Sequence, residues 1–188
     1  DKYQVTVTYD VVNGTWTGGG TEQKSEVLTL MTDGEWDEDG TATATLPETT
    51  ANPGYTGGSW DPSSAVVRKS SDHSFVYTYE KGSYNYEVHY YYDGVEDESQ
   101  KVTDSGLYGT PIPYSKTTPT THDGKNYVLE RVDGEGKTIG TDATANVVSV
   151  YYLVDEIGGT DPEKPGDDIP DKYQVTVTYD VVNGTWTG

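Results

Sequence analysis

Residues 1–18 read DKYQVTVTYDVVNGTWTG, and residues 171–188 read the same eighteen letters without a change. Chance does not supply such identity. The chain therefore carries one full period and the opening of another, the second copy starting 170 residues after the first. Self-similarity at a fixed offset is the mark of a tandem array. The period is longer than the ~20–50 residues of solenoid and propeller repeats, and it suits whole small domains strung in sequence.

Charge and composition narrow the class further. With 12 basic against 32 acidic residues the net charge is −20, which disfavours nucleic acid and anionic membrane as partners, since both need a basic surface. A solubilising charge is the simpler reading. There are no cysteines, so neither disulfides nor a thiolate metal site can form. No apolar run approaches the ~20 residues of a membrane helix, and no signal peptide is seen, as expected of a segment from the middle of a larger protein. Tyr occurs 17 times and Phe once; Tyr, Thr and Val dominate the patterned segments, and all three favour strands.

In residues 3–11, Tyr3, Val5, Val7, Tyr9 and Val11 alternate with Gln4, Thr6, Thr8 and Asp10, the period of a half-buried strand. Asn13-Gly14 follows, a strong hairpin signal. Further strands are expected at 26–32, 41–46 and 73–80, with an acidic loop at 33–40 and a turn at Asn52-Pro53-Gly54. Residues 84–92 place Tyr84, Tyr86, Val88, Tyr90 and Tyr92 on one face, Asp93-Gly94 turns, and 96–101 pairs back. Loops rich in Thr and Pro follow, then strands at 127–132 and 147–154. The last is apolar on both faces, as in a central strand covered on both sides. Residues 156–170 are Gly, Pro and acid with almost nothing to bury, which reads as a stiff linker. The expected organisation is a domain at 1–82, a second at 83–155, the linker at 156–170, and the opening of the next repeat at 171–188. The fold class is mainly β, with α+β as the alternative and at most one short helix per domain.

Two resemblances sharpen this. The motif VTVTYD at 5–10, Asn13-Gly14, Leu46-Pro47, Gly54-Tyr55, Trp60-Asp61-Pro62 and a closing strand at 75–79 make residues 1–82 similar to the Listeria–Bacteroides repeat, also called the internalin B-repeat. The acidic insertion at 33–40 departs from that pattern, as does Asn-Gly where the family often has paired glycines. YEVHYYYDG at 86–94, NYVLERVDG at 126–134 and NVVSVYYLVD at 146–155 resemble a MucBP (mucin-binding protein) domain. The resemblances imply two β-grasp-like domains, each a small mixed sheet wrapping one side element. They also imply a Gram-positive, secreted, cell-wall-attached surface protein: a stalk with an adhesive role, or alternatively a module for mucin glycans or host proteins such as immunoglobulin. Neighbouring repeats are the other expected partners. Neither family brings catalytic residues or a cofactor, and none is expected here. In the β-grasp arrangement the first and last strands of each domain lie side by side and parallel.

Each candidate site has a plainer alternative. Asp33, Glu35, Asp37 and Asp39 stand at alternate positions like the front half of a calcium loop, but the later bidentate Glu is missing and no helix flanks them. A solvated acidic loop is the preferred reading. His73, His89 and His122 are far apart in sequence, and no GxSxG elbow exists. Gly136-Lys137-Thr138 imitates the end of a phosphate loop, yet Arg131 stands where its first glycine belongs. Leu46-Pro47-Glu48-Thr49-Thr50 imitates a sorting signal inside a domain. Lys2, Lys24 and Lys81 lie near strands where an isopeptide crosslink to Asn or Asp is conceivable. Alternation sends most tyrosines inward, with Tyr91 and Tyr152 expected as the exposed exceptions.

Overall fold

The alternation of residues 3–11 becomes β1 (Gln4–Val12), with Val5, Val7 and Tyr9 buried and Gln4 and Thr6 exposed. The computed structural model describes residues 2–71, 73–161 and 164–186. It divides into two units, Asp1–Tyr84 with Leu107–Thr110, and Asn85–Gly106 with Pro111–Gly188. In the first, β1 pairs antiparallel with β2 (Lys24–Thr29) and parallel with β4 (Ser74–Lys81), which pairs antiparallel with β3 (Tyr55–Asp61). The strand order is therefore β2-β1-β4-β3. Two of the expected strands are shorter than foreseen: 26–32 divides into β2 and Met31–Thr32, and 41–46 contributes only Ala42–Thr43.

Against this mixed sheet lies the irregular stretch between β2 and β4, which supplies Leu30, Ala44 and Val67 to a core shared with Val5, Val7, Tyr9, Trp16 and Phe75. Phe75 is fully buried and stacks on Tyr9 with ring centroids 5.7 Å apart. Each such large side chain stabilises the fold by roughly 1.5–3 kcal/mol through burial. That stretch is held by two-residue ladders instead of a helix.

Asn13-Gly14 does not make the expected hairpin. Asn13 adopts φ 62° and its Nδ2 donates to the Tyr79 carbonyl (3.1 Å), and the chain then enters a short strand, Gly14–Trp16, paired with Thr49–Ala51. A Cβ at position 14 would lie 2.5 Å from the Tyr79 ring and 2.6 Å from Thr50 O. Close approach demands this glycine, and the turn passes the chain to a second ladder.

β3 has no apolar alternation and was not foreseen. It is an edge strand containing Gly57 and Gly58, both at positive φ (58° and 107°), opposite a bulge in β4. A Cβ at Gly58 would lie 2.5 Å from Thr78 O, whereas Gly57 faces open space. Gly58→Ala is therefore expected to destabilise the first unit by about 2 kcal/mol or more, through φ strain plus a backbone clash. Gly57→Asn, in a left-handed conformation Asn tolerates, should cost well under half as much. Chemical denaturation of the two variants reads the difference.

In the second unit β5 (Ser83–Tyr92) turns through Asp93-Gly94 (φ 49° and 82°) into β6 (Val95–Glu96), a two-residue loop with both central residues left-handed as a type I′ turn requires. Asp123-Gly124 (φ 48° and 75°) does the same between β8 (Thr120–His122) and β9 (Lys125–Asp133). β7 (Val102–Leu107) also pairs with β5, and β10 (Val147–Val154) lies between β5 and β9. The return expected at 96–101 stops at Glu96. Asp97 then caps a turn through the Ser99 amide (2.9 Å), and pairing resumes at β7. Tyr86, Val88, Tyr90 and Tyr92 from β5 pack with Val148, Val150 and Tyr152 from β10. Buried Asn146 joins the surrounding loops: its Nδ2 donates to Asn85 O and Gly140 O, and its Oδ1 accepts from Gly140 N.

The fold is mainly β. Helix among the described residues is confined to two three-residue 3-10 turns, Ala143–Ala145 and Asp171–Tyr173. The segment expected to be a plain extended linker contains an antiparallel ladder of Gly158–Asp161 with Lys164–Gly166. Residues 174–186 contain no strand.

Candidate functional site

Both units put the first and last strands of their main sheet side by side and parallel. In the first, Thr8 through Val12 face Ser74 through Thr78, extended by Thr8 N donating to His73 O at 2.8 Å. In the second, Glu87 through Tyr92 face Val147 through Tyr152. That seam is closed at its ends by Glu87 N to Asn146 O and Asp93 N to Tyr152 O, both 2.9 Å. Asp93 Oδ1 adds a further bond from Val154 N at 3.0 Å. Parallel pairing places the start of the first strand and the end of the last at opposite ends of each seam. Tension between them loads the seam's hydrogen bonds in shear.

The outward face of the second sheet carries a ladder of rings. His89 stacks on Tyr91 (6.4 Å), Tyr91 on Tyr151 (4.6 Å, 11° between planes), and the Arg131 guanidinium lies 3.7 Å over Tyr151. Glu96 accepts from His89 Nδ1 and from the Tyr91 hydroxyl (3.4 Å), while Glu87 faces His89 Nε2 (3.1 Å) and Lys101 Nζ (3.3 Å). Burial, then the Glu96 charge, raises the Tyr91 phenol, and the bond from Lys101 holds the Glu87 carboxyl low. The ring faces are taken by one another and by Arg131, so the ladder stiffens the sheet and offers a ligand mainly its edges and its basic end.

Tyr91 is thus one of the outward tyrosines, as expected. Tyr152 is not: it is 3 % exposed and stacks on Tyr92. Val148, Val150 and Tyr152 share the core face of β10, so the outward residue is Tyr151. His122 also stacks on Tyr92, with centroids 3.7 Å apart and the rings nearly parallel, and its Nδ1 lies 3.6 Å from Asp97.

The four acidic positions do not converge. Asp33 (φ 50°) and Gly34 form the turn between Met31–Thr32 and Glu35–Trp36, and Asp37 Oδ1 accepts from Asp39 N (3.0 Å). The bonds from Thr32 and Asp39 lower the Asp37 carboxyl. Among the described residues no group of three His, Cys, Asp or Glu side chains is placed to hold a metal. His73, in the first unit, contacts Arg68 O. Lys137 Nζ donates to Ala145 O (3.0 Å) and Val147 O (3.1 Å), so the lysine of the phosphate-loop imitation ties two loops together. Leu46 packs on the first core, and Thr49 pairs with Trp16 and meets the Tyr79 hydroxyl at 2.8 Å. That sorting-signal imitation is part of the fold. Lys2, Lys24 and Lys81 are exposed, and Lys24 Nζ lies 4.8 Å over the Trp16 ring.

Sequence reasoning did not find Arg131 or Tyr151 as partners. The bulge between Leu129 and Arg131 in β9 brings Arg131 opposite Tyr151, and simple counting from Tyr127 does not reveal it. Comparison with protein-family models and with curated proteins finds no match for this chain.

Proposed function

We propose that the chain is a repeat unit of a secreted bacterial surface protein, an elongated cell-wall-attached stalk with an adhesive role. In this reading it is built of an internalin B-repeat-like and a MucBP-like domain. The observation that carries the reading is the parallel pairing of the first and last strands of the main sheet in both units of a chain that repeats itself. Shear across β1–β4 and β5–β10 requires many hydrogen bonds to break together, which suits a tether held under flow. The expected result of stretching the chain by its ends is an abrupt, single-step unfolding event for each unit. Gradual extension at low force, with no cooperative step, removes the basis for a load-bearing role.

A second reading, a module for mucin glycans or host proteins, is favoured by the outward ladder ending in Arg131, because aromatic and Arg side chains anchor interfaces. A glycan array and a host-protein pull-down with one period, repeated with Arg131→Ala and Tyr151→Ala, separate the two. Binding that both substitutions abolish supports the second reading, and silence on both supports the stalk.

A further inference from the structure

The segment after β10 is composed like a stiff linker, yet its described residues are bonded to one another and to Asn126 and Glu130 of β9. Asp155 is 2 % exposed; its Oδ1 accepts from Asp167 N (3.1 Å) and its Oδ2 from Asp168 N (2.8 Å), while its own amide donates to Asn126 O (2.9 Å). Gly166 approaches so closely that a Cβ there would lie 2.5 Å from both Asp155 O and Oδ2. Glu156 Oε1 accepts from Asn126 N. Asp171 Oδ1 then accepts from two successive amides, Glu156 N (2.9 Å) and Ile157 N (3.1 Å). Lys172 Nζ pairs with Glu130 Oε1 at 2.7 Å, and Gln174 Nε2 donates to both oxygens of Asp167. The Asp171–Tyr173 turn lies against β10, and Leu153, on the face of that strand opposite Tyr152, is only 7 % exposed.

Asp171, Lys172 and Tyr173 are the second occurrence of the Asp-Lys-Tyr that opens the chain. We infer that the second unit carries a docking site for the opening residues of the following copy. The carboxylate of that copy's first residue caps the amides after β10, and its lysine pairs with Glu130. The boundary between periods is then a preformed joint instead of a free hinge. The inference rests on the tandem-array reading of the stalk. A carboxylate taking two backbone amides, beside a buried carboxylate taking two more, orders the backbone on both sides of the boundary, because charged acceptors make the stronger hydrogen bonds. The proline and acidic residues between them need not act as spacers.

Amide hydrogen exchange on the full 188-residue chain tests the joint. The amides of Glu156, Ile157, Asp167 and Asp168 should exchange far more slowly than in an unstructured peptide. Asp171→Ala should speed Glu156 and Ile157 by about tenfold or more, the scale of losing bonds to a charged acceptor, and Asp171→Asn, which keeps an acceptor oxygen, by less. Val148 and Val150 should stay protected in both variants, which shows that the unit remains folded. Peptide-like exchange at these four amides in the unsubstituted chain, or no response to Asp171→Ala, overturns the proposal. A chain of two consecutive periods distinguishes this failure from that of the array. If the second copy's first unit folds but Glu156 and Ile157 lose protection, the joint alone is wrong. If that unit does not fold in sequence, the array reading falls and the joint with it.

Discussion

Deleting residues 1–18 is expected to abolish folding of the first unit, whereas deleting residues 175–188 should leave its melting temperature unchanged, although the tail repeats the same letters. β1 is an inner strand bonded on both edges, and residues 1–18 supply Val5, Val7, Tyr9 and Trp16 to the core. In the tail the same side chains are bare: Val175 is 88 % exposed against 6 % for Val5, Tyr179 72 % against 2 % for Tyr9, and Trp186 68 % against 3 % for Trp16. Losing several large buried side chains costs several kcal/mol each, more than the ~5–15 kcal/mol a domain holds in reserve. Circular dichroism and thermal unfolding read both deletions. A first unit that survives loss of residues 1–18 reveals replacement of β1 by the tail strand, and sedimentation then tells whether the donor is the same molecule or another.

That pair of identical segments also shows where a sequence stops specifying structure. Alternation in residues 3–11 states which face can be buried, and it is a strand only where Lys24–Thr29 and Ser74–Lys81 flank it. A lone strand has no partner for its backbone groups, and residues 174–186 contain none. The legible elements were those whose side chains marked them out, namely β1, β4 and β5 by their alternation and β9 and β10 by their apolar runs, together with the Asp93-Gly94 turn. β3 and β8 were illegible because their pairing depends on a neighbour: Gly57 and Gly58 give β3 no face, and β8 is three residues long. The parallel seams were expected only on the supposition of a β-grasp arrangement, and no local pattern signals them. The docked segment after β10 was misread because composition registers apolar burial, while its order comes from the carboxylates of Asp155 and Asp171 accepting backbone amides. Among the site candidates, spacing alone ruled out the phosphate loop, but only the coordinates show Lys137 spent on two carbonyls.

Raising the pH through the range above 10 is expected to unfold the second unit cooperatively, because Tyr86, Tyr90, Tyr92, Tyr127 and Tyr152 are buried in its core. Burial, reinforced by the neighbouring Tyr92 and Tyr90, pushes the Tyr152 hydroxyl up from an ordinary 10.0 to about 12. Burial likewise raises Tyr92 and Tyr127, the latter with help from Asp93. A phenol is neutral when protonated, so a raised value means that the folded chain keeps a proton the unfolded chain gives up. Between pH 10 and 12 the unfolded state binds fewer protons, and stability must fall as pH rises. The contribution is complete below about pH 10 and is withdrawn progressively toward pH 12. For Tyr152 alone the rise from 10.0 to about 12 is worth on the order of 2–3 kcal/mol, and Tyr92 and Tyr127 act in the same direction. Tyrosinate absorbance and far-ultraviolet circular dichroism should change together, in one sharp transition. Tyr152→Phe keeps the ring stacked on Tyr92 while removing the ionisable group, so it should move that transition to higher pH. If the tyrosines ionise smoothly near pH 10 with the dichroism unchanged, the rings of β5 and β10 are open to water, and the core described here is wrong.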